Sequence, residues 1–279
     1  MPQVRLQRAT IEYRELGPAD SPHPPVLFVH GILVDHRLWL KVAEDLARNG
    51  FRCILPDWPL GSHTVPVDPG VELTPVTVAE MINEFITALE LRDATLVGND
   101  TGGGLCQLLI DAHPDSVGRL VLTNCDAFDK FPPFPFNLVF ATMRGPRSIT
   151  ALAGLMRIAA LRRSPLGYGL LARPDDELTA SWIEPCSTDR RIARNLGDLL
   201  RGVAAMDLTD VATRLPHFTK PVTVVWGQLD RSFTPALGRR LAALFPHGTL
   251  VEVPDARTFV SLDAPRAVVD AIATVGASR

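Results

Sequence analysis

The chain has 279 residues, 46% apolar and 21% charged, with a net charge of −3. Enough apolar material is present to fill a large core, which excludes dominant disorder, and a balanced charge without a basic block argues against nucleic acid as ligand. No stretch approaches the ~18 apolar residues of a membrane span and the first residues lack the apolar run of a secretory signal, so a cytoplasmic location and no membrane partner are expected.

Val4 to Leu16 alternates and ends at Gly17-Pro18, which predicts two short strands in a hairpin. Val26 to Val29, closed by His30-Gly31, is a continuous apolar run of the kind buried on both faces of a parallel sheet. Trp39 to Asn49 has helical spacing and stops at Asn49-Gly50. Phe51 to Asp57 reads as a strand, and Thr74 to Leu91 as a helix with Thr74 as N-cap and Pro75 in its first turn. Ala94 to Gly98 is a strand, Thr101 to His113 a helix and Leu120 to Thr123 a strand.

Alternation then lapses. Residues 127–215 contain no convincing strand, but Pro132, Pro133 and Pro135 and helical stretches at Ile149 to Arg162 and Arg190 to Val203. It resumes with a strand at Pro221 to Gly227, a helix at Pro235 to Phe245, a strand at Thr249 to Val253 and a helix at Ala264 to Val275. This order predicts an α/β fold, a mostly parallel twisted sheet flanked by helices. The expected organisation is a core of 1–126 with 216–279 and a helical cap of 127–215 over the carboxyl edge of the sheet. Four cysteines, Cys53, Cys106, Cys125 and Cys186, form no C-x-x-C pair and are expected as buried free thiols, with no metal site built on them.

Ligands of open parallel sheets bind beyond the carboxyl ends of the strands. The most informative of these ends reads Gly98-Asn99-Asp100-Thr101-Gly102, a G-x-D-x-G frame between a predicted strand and a predicted helix. Flanking glycines let the chain turn sharply, so the central carboxylate stands exposed above the sheet at a helix N-terminus. The other ends carry His30-Gly31-Ile32, Asp57-Trp58-Pro59-Leu60-Gly61-Ser62, Asp126 and Gly227-Gln228-Leu229-Asp230.

In that order, these motifs resemble the α/β-hydrolase superfamily, and the Asp in the nucleophile frame resembles its epoxide hydrolase and haloalkane dehalogenase branch. The resemblance covers nearly the whole chain. It implies Asp100 as nucleophile, Asp230 as the acid, Asp126 as an alternative acid, and the main-chain N–H groups of Ile32 and Thr101 as an oxyanion hole. It implies no cofactor, a small-molecule substrate, and a monomer or homodimer. The family's His position, however, holds Thr258, beside Arg257 and Phe259. Thr101 and Ile32 stand where dehalogenases carry a halide-binding Trp and Asn, which argues against dehalogenation. Epoxide hydrolases use two cap tyrosines as acids; the segment here has one, Tyr168.

An alkyl-enzyme ester needs a base to activate water, and threonine cannot serve. Of seven histidines, His30, His36 and His63 fall on the catalytic edge; His36 is the best substitute base, His30 a structural neighbour of the oxyanion loop, and His63 a solvated loop residue. Without an imidazole, Asp100 and Asp230 face one another and one pKa is expected to rise, unless Arg231 or Arg257 pairs with a carboxylate. Asn99 and Asp126, and Phe131 and Phe134 from the Pro-rich stretch, are candidate cavity residues. The leading function is hydrolysis of a small, largely apolar electrophile, with Asp100 as nucleophile or general base. A non-hydrolytic lyase, isomerase or cyclase on the same scaffold and a catalytically silent small-molecule binder are the alternatives.

Overall fold

A computed structural model of the chain describes residues 1–143, 145–173 and 175–277. Its strands are β1 (Gln3–Arg5), β2 (Thr10–Leu16), β3 (Val26–Val29), β4 (Cys53–Pro56), β5 (Thr95–Asp100), β6 (Arg119–Cys125), β7 (Val222–Gly227) and β8 (Gly248–Val253). They form one sheet in the order β1-β2-β4-β3-β5-β6-β7-β8. The first two pairings, β1 with β2 and β2 with β4, are antiparallel; the others are parallel. Every residue of β3, β4, β6 and β7 is buried, as the unbroken apolar runs predict.

The helices are α1 (Leu40–Arg48), α2 (Pro75–Ala88), α3 (Thr101–Ala112), α4 (Phe136–Thr142), α5 (Pro146–Leu155), α6 (Ala159–Arg162), α7 (Asp176–Thr188), α8 (Arg190–Ala204), α9 (Thr209–Arg214), α10 (Pro235–Ala242), α11 (Val260–Asp263) and α12 (Pro265–Ala277). The expected N-cap of α2 is present: the Thr74 hydroxyl accepts from the N–H of Thr77 at 3.1 Å. Helices α4 to α9 lie between β6 and β7. The single helix expected over Ile149 to Arg162 is instead two, α5 and α6. Residues between them turn back so that the Arg162 guanidinium, buried, donates to the carbonyls of Met156 and Arg157 at 3.0 and 2.6 Å. Helix α7 went unread because Pro185 interrupts its pattern. All four cysteines are buried and free, and among the described residues no helix is long and apolar enough to cross a membrane.

Candidate active site

Strand β5 runs directly into α3, and Asp100 is the residue at the bend, with φ 54° and ψ −132°. A non-glycine residue held at positive φ costs on the order of 1–3 kcal/mol and persists only where its surroundings enforce it. The neighbouring glycines do so. A Cβ on Gly102 would strike the carbonyl oxygens of Val29 and His30, and one on Gly31 would overlap the Asp100 carboxylate. The chain thus brings the loop after β3 against the bend, and the nearby main-chain N–H groups of Thr101 and Ile32 favour the charged form of the Asp100 carboxylate. These are the two amides expected as an oxyanion hole. Asp100 is half-buried, and its accessible surface faces a cavity of about 510 Å³. Burial pushes its pKa up to about 7; the two amides oppose that rise and the Asp230 charge adds to it.

The cavity is walled by α4, α5, α6, α7 and the connection between α6 and α7, with Met143, Leu152, Met156, Leu171 and Ile183 among its apolar side chains. Ile32, Thr101 and Tyr168 also line it. The Tyr168 hydroxyl does not point freely into the space: it donates to the carbonyl of Leu33 at 2.5 Å, tying the α6–α7 connection to the loop that carries Ile32. Burial raises the Tyr168 pKa well above the ordinary phenol value.

Asp230 follows β7 and lies behind the cavity wall. Its Oδ1 accepts from the N–H groups of Ser232 and Phe233 at 2.8 and 2.9 Å, and its Oδ2 from Asn124 Nδ2 at 2.9 Å and from the Thr258 hydroxyl at 2.7 Å. Burial raises its pKa to about 6 against the pull of those donors, Thr258 first among them. Thr258 is fully buried and its hydroxyl is spent on Asp230. Asp126, after β6, is also fully buried; its carboxyl oxygens have no partner in hydrogen-bonding geometry, although the nearby Thr101 hydroxyl favours its charged form. Burial, and then the Asp100 charge, drive its pKa well above the ordinary carboxyl value.

Several side chains expected at the cavity lie elsewhere. The Asn99 amide turns into the sheet and donates to Thr123 Oγ1, the Asn124 carbonyl and the Thr258 carbonyl at 2.8–3.1 Å, stitching β5 to β6 and to the Thr258 loop. His30 accepts the N–H of Trp58 on Nε2 and so donates from Nδ1 to the Gly31 carbonyl, both at 2.9 Å. Burial lowers its pKa, and it is a neutral strut of the oxyanion loop rather than a base. His36 is held at Nδ1 by the Asp57 carboxylate at 2.8 Å and does not line the cavity, which corrects the expectation that it replaces the missing base. His63 is buried rather than solvated: it accepts from the Gly61 N–H at 3.2 Å, and burial takes its pKa down to about 4.

Arg257 donates to the carbonyls of Gly169 and Ala172 at 2.9 and 3.1 Å, so its charge serves the cap connection and not a carboxylate of the site. Arg231 is exposed. Phe131 is buried near Gly104, Phe134 is 68% exposed, and Phe259 packs on Tyr168 and Trp182 instead of forming the wall. Two contributors escaped the sequence reading. Asn124 accepts the Gly227 N–H at 2.6 Å while donating to Asp230, and Leu33, at φ 57°, offers the carbonyl that Tyr168 takes. Only the position of Asn124 at a strand end could have flagged it.

None of the four tryptophans lines the cavity. Trp58, Trp182 and Trp226 donate their indole N–H to Phe28, Asp35 and Phe233, and Trp39 is packed on Phe28. The one grouping of metal-binding residue types among the described residues, Asp35, His36 and Asp57, is already spent. Asp35 binds Arg37 and the Trp182 indole, and Asp57 binds His36.

With this geometry in view, the chain can be set beside known proteins. It is 27% identical over 274 residues to haloalkane dehalogenase 2 of Mycobacterium tuberculosis, covering 95% of this chain and 91% of that one. An epoxide hydrolase-like structure from Klebsiella pneumoniae superposes with a TM-score of 0.77 at 20% identity, covering 99% of this chain and 96% of that one. The enol-lactonase of Burkholderia xenovorans does so with 0.76 at 19% identity, covering 98% and 99%. These likenesses establish a shared fold and not a shared substrate. Residues 24–265 match the family model described as the alpha/beta hydrolase fold, and the chain belongs to that family.

Proposed function

We propose that the protein is an epoxide hydrolase-like enzyme acting on a small, largely apolar electrophile, with Asp100 as the attacking group. The observation that carries this reading is the setting of one carboxyl group: Asp100 faces an apolar cavity, and the nearby amides of Ile32 and Thr101 favour its charged form. With Asp100 in place of a hydroxyl or thiol at the bend, an acyl transfer to a hydroxyl-type nucleophile is poorly served. The two amides suit a carboxylate that itself becomes the acyl group. One Asp100 oxygen attacks the epoxide carbon, the ring C–O bond breaks, and the alkoxide takes a proton from solvent water, leaving hydroxide, to become an alcohol. Water attack on the ester carbonyl would then place a negative oxygen opposite the same two amides.

The second step is where this chain differs. Thr258 cannot take a proton from water, and neither Asp230 nor any histidine lines the cavity. The ester is therefore predicted to form faster than it breaks down. In this reading the core of 1–126 and 216–279 carries the reactive group, the cap of 127–215 shapes the apolar space, and no cofactor takes part. Halide release is not supported, since no indole N–H faces the cavity.

The absence of a cavity base favours one second reading, proton transfer by Asp100 alone in an isomerase, lyase or cyclase reaction; a pKa near 7 suits a group that both takes and returns a proton. The experiment is turnover of small apolar epoxides, with styrene oxide as probe, in heavy-oxygen water. Diol formation lost in Asp100→Asn supports the hydrolase. Rearranged product without solvent oxygen supports the second reading, and retained turnover in Asp100→Asn defeats both.

A further inference from the structure

Of the ten large apolar side chains exposed among the described residues, six fall between Phe134 and Leu166, all of them 40–68% exposed. Four of the six, Leu138, Leu155, Leu161 and Leu166, also line the cavity, so they stand where the cavity opens to the outside. A soluble surface normally scatters such residues singly; a cluster around a cavity mouth marks a surface that meets something apolar.

Charge on the same segment is one-sided. From Lys130 to Arg173 the sequence holds seven Lys or Arg residues and no Asp or Glu, in a chain whose net charge is −3. Some of these cations have internal duties: Lys130 pairs with Asp129, Arg163 with Asp176, and Arg162 is buried on carbonyls. Arg147, Arg157 and Arg173 are exposed and have no ion-pair partner among the described residues. Arg157 sits between the exposed Leu155 and Ile158 along the chain. Exposed leucine interleaved with unpaired arginine is the pattern of a surface that lies on anionic headgroups with its apolar side chains inserted below them. A second copy of the chain is a poorer occupant, because two such basic faces would repel.

We propose that the α4–α6 face of this protein docks on an anionic phospholipid bilayer, with the cavity mouth turned toward the lipid. The docking stands on the surface alone. Its consequence, that an uncharged lipid-dissolved molecule passes from the bilayer to Asp100, rests on the function proposed above. The expectation of no membrane partner is revised by this proposal: among the described residues no helix is long and apolar enough to cross a membrane, but a face suits its surface.

The test is sedimentation of the full chain with phosphatidylcholine vesicles, with and without phosphatidylglycerol, at low and high salt. Binding is expected only with phosphatidylglycerol and is expected to weaken in high salt. Arg147→Gln, Arg157→Gln and Arg173→Gln together should weaken it about 100-fold, from about fivefold per headgroup-facing cation. Ile158→Ser should weaken it by about tenfold or more. Removing the exposed Arg14, Arg92 and Arg266 instead should leave it intact, which separates a local face from net charge. None of these seven residues lines the cavity, so turnover of a dissolved epoxide should be unchanged in all of them. Asp100→Asn should bind vesicles normally, so a failed chemistry and a failed docking are told apart. No binding at low salt, equal binding by the triple variant, or a dimer through this face that excludes vesicles would overturn the proposal.

Discussion

Two of the aspartates at strand ends of this sheet, Asp230 and Asp100, sit in contrasting settings. At the end of β7, Asp230 accepts four hydrogen bonds and closes a turn, with Thr258 and Asn124 filling its remaining lone pairs. At the end of β5, Asp100 has two amides nearby that favour its charge and is left open to an apolar space. Both have pKa values raised by burial, to about 6 and about 7. The contrast teaches that a perturbed carboxyl is not by itself a reactive one; what separates them is an accessible oxygen with room for a partner.

The largest effect that would sharpen this contrast is on rate. Asp100→Asn should abolish epoxide turnover, by about 1,000-fold or more, while Asp230→Asn should lower it less and act mainly on folding. Steady-state kinetics of the pair checks this, and comparable losses would erase the distinction.

Next is pH. If the ionised Asp100 attacks, kcat/KM should rise through about pH 7 and fall about tenfold per unit on the acid side. The same shift acts on stability with opposite sign. The folded state holds the Asp100 proton to higher pH than the unfolded chain does, so the group costs nothing below about pH 4 and its cost grows as pH rises toward about 7. Asp100→Asn should therefore stabilise the fold by about 2 kcal/mol or more at pH 8 and by little at pH 4, as read by urea unfolding.

A smaller effect is expected at the other strand end. Thr258→Val keeps the volume but removes a donor to buried Asp230, so it should cost about 1–3 kcal/mol and leave the rate of Asp100 attack nearly unchanged. Loss of attack in this variant would mean that Asp230 is coupled to the reaction after all.

Much of the scaffold was legible because it is local. Continuous apolar runs announced β3 to β7, and the glycine frame around Asp100 announced the bend. The Thr74 cap and Gly50 stop are signals within a few residues of the helices they bound. What escaped is what long-range side-chain pairing decides. His36 looked available until Asp57 was seen to hold it, and Asn99 looked like a cavity residue until its amide was found bridging β6 and the Thr258 loop. Arg257 looked like a counter-charge, but the carbonyls of Gly169 and Ala172 claim it. The segment between β6 and β7 was the least legible region, since proline and glycine interrupt its helices and part of their apolar surface lines a cavity.

The most direct test of Asp100 as the attacking group is intact-protein mass after brief exposure to styrene oxide, followed by mapping of the modified peptide. The account predicts a gain of one epoxide on the peptide containing Asp100, persisting because no base lies at hand, and absent from Asp100→Asn. Diol that accumulates with no adduct at any time, and with solvent oxygen incorporated in the first turnover, would contradict it.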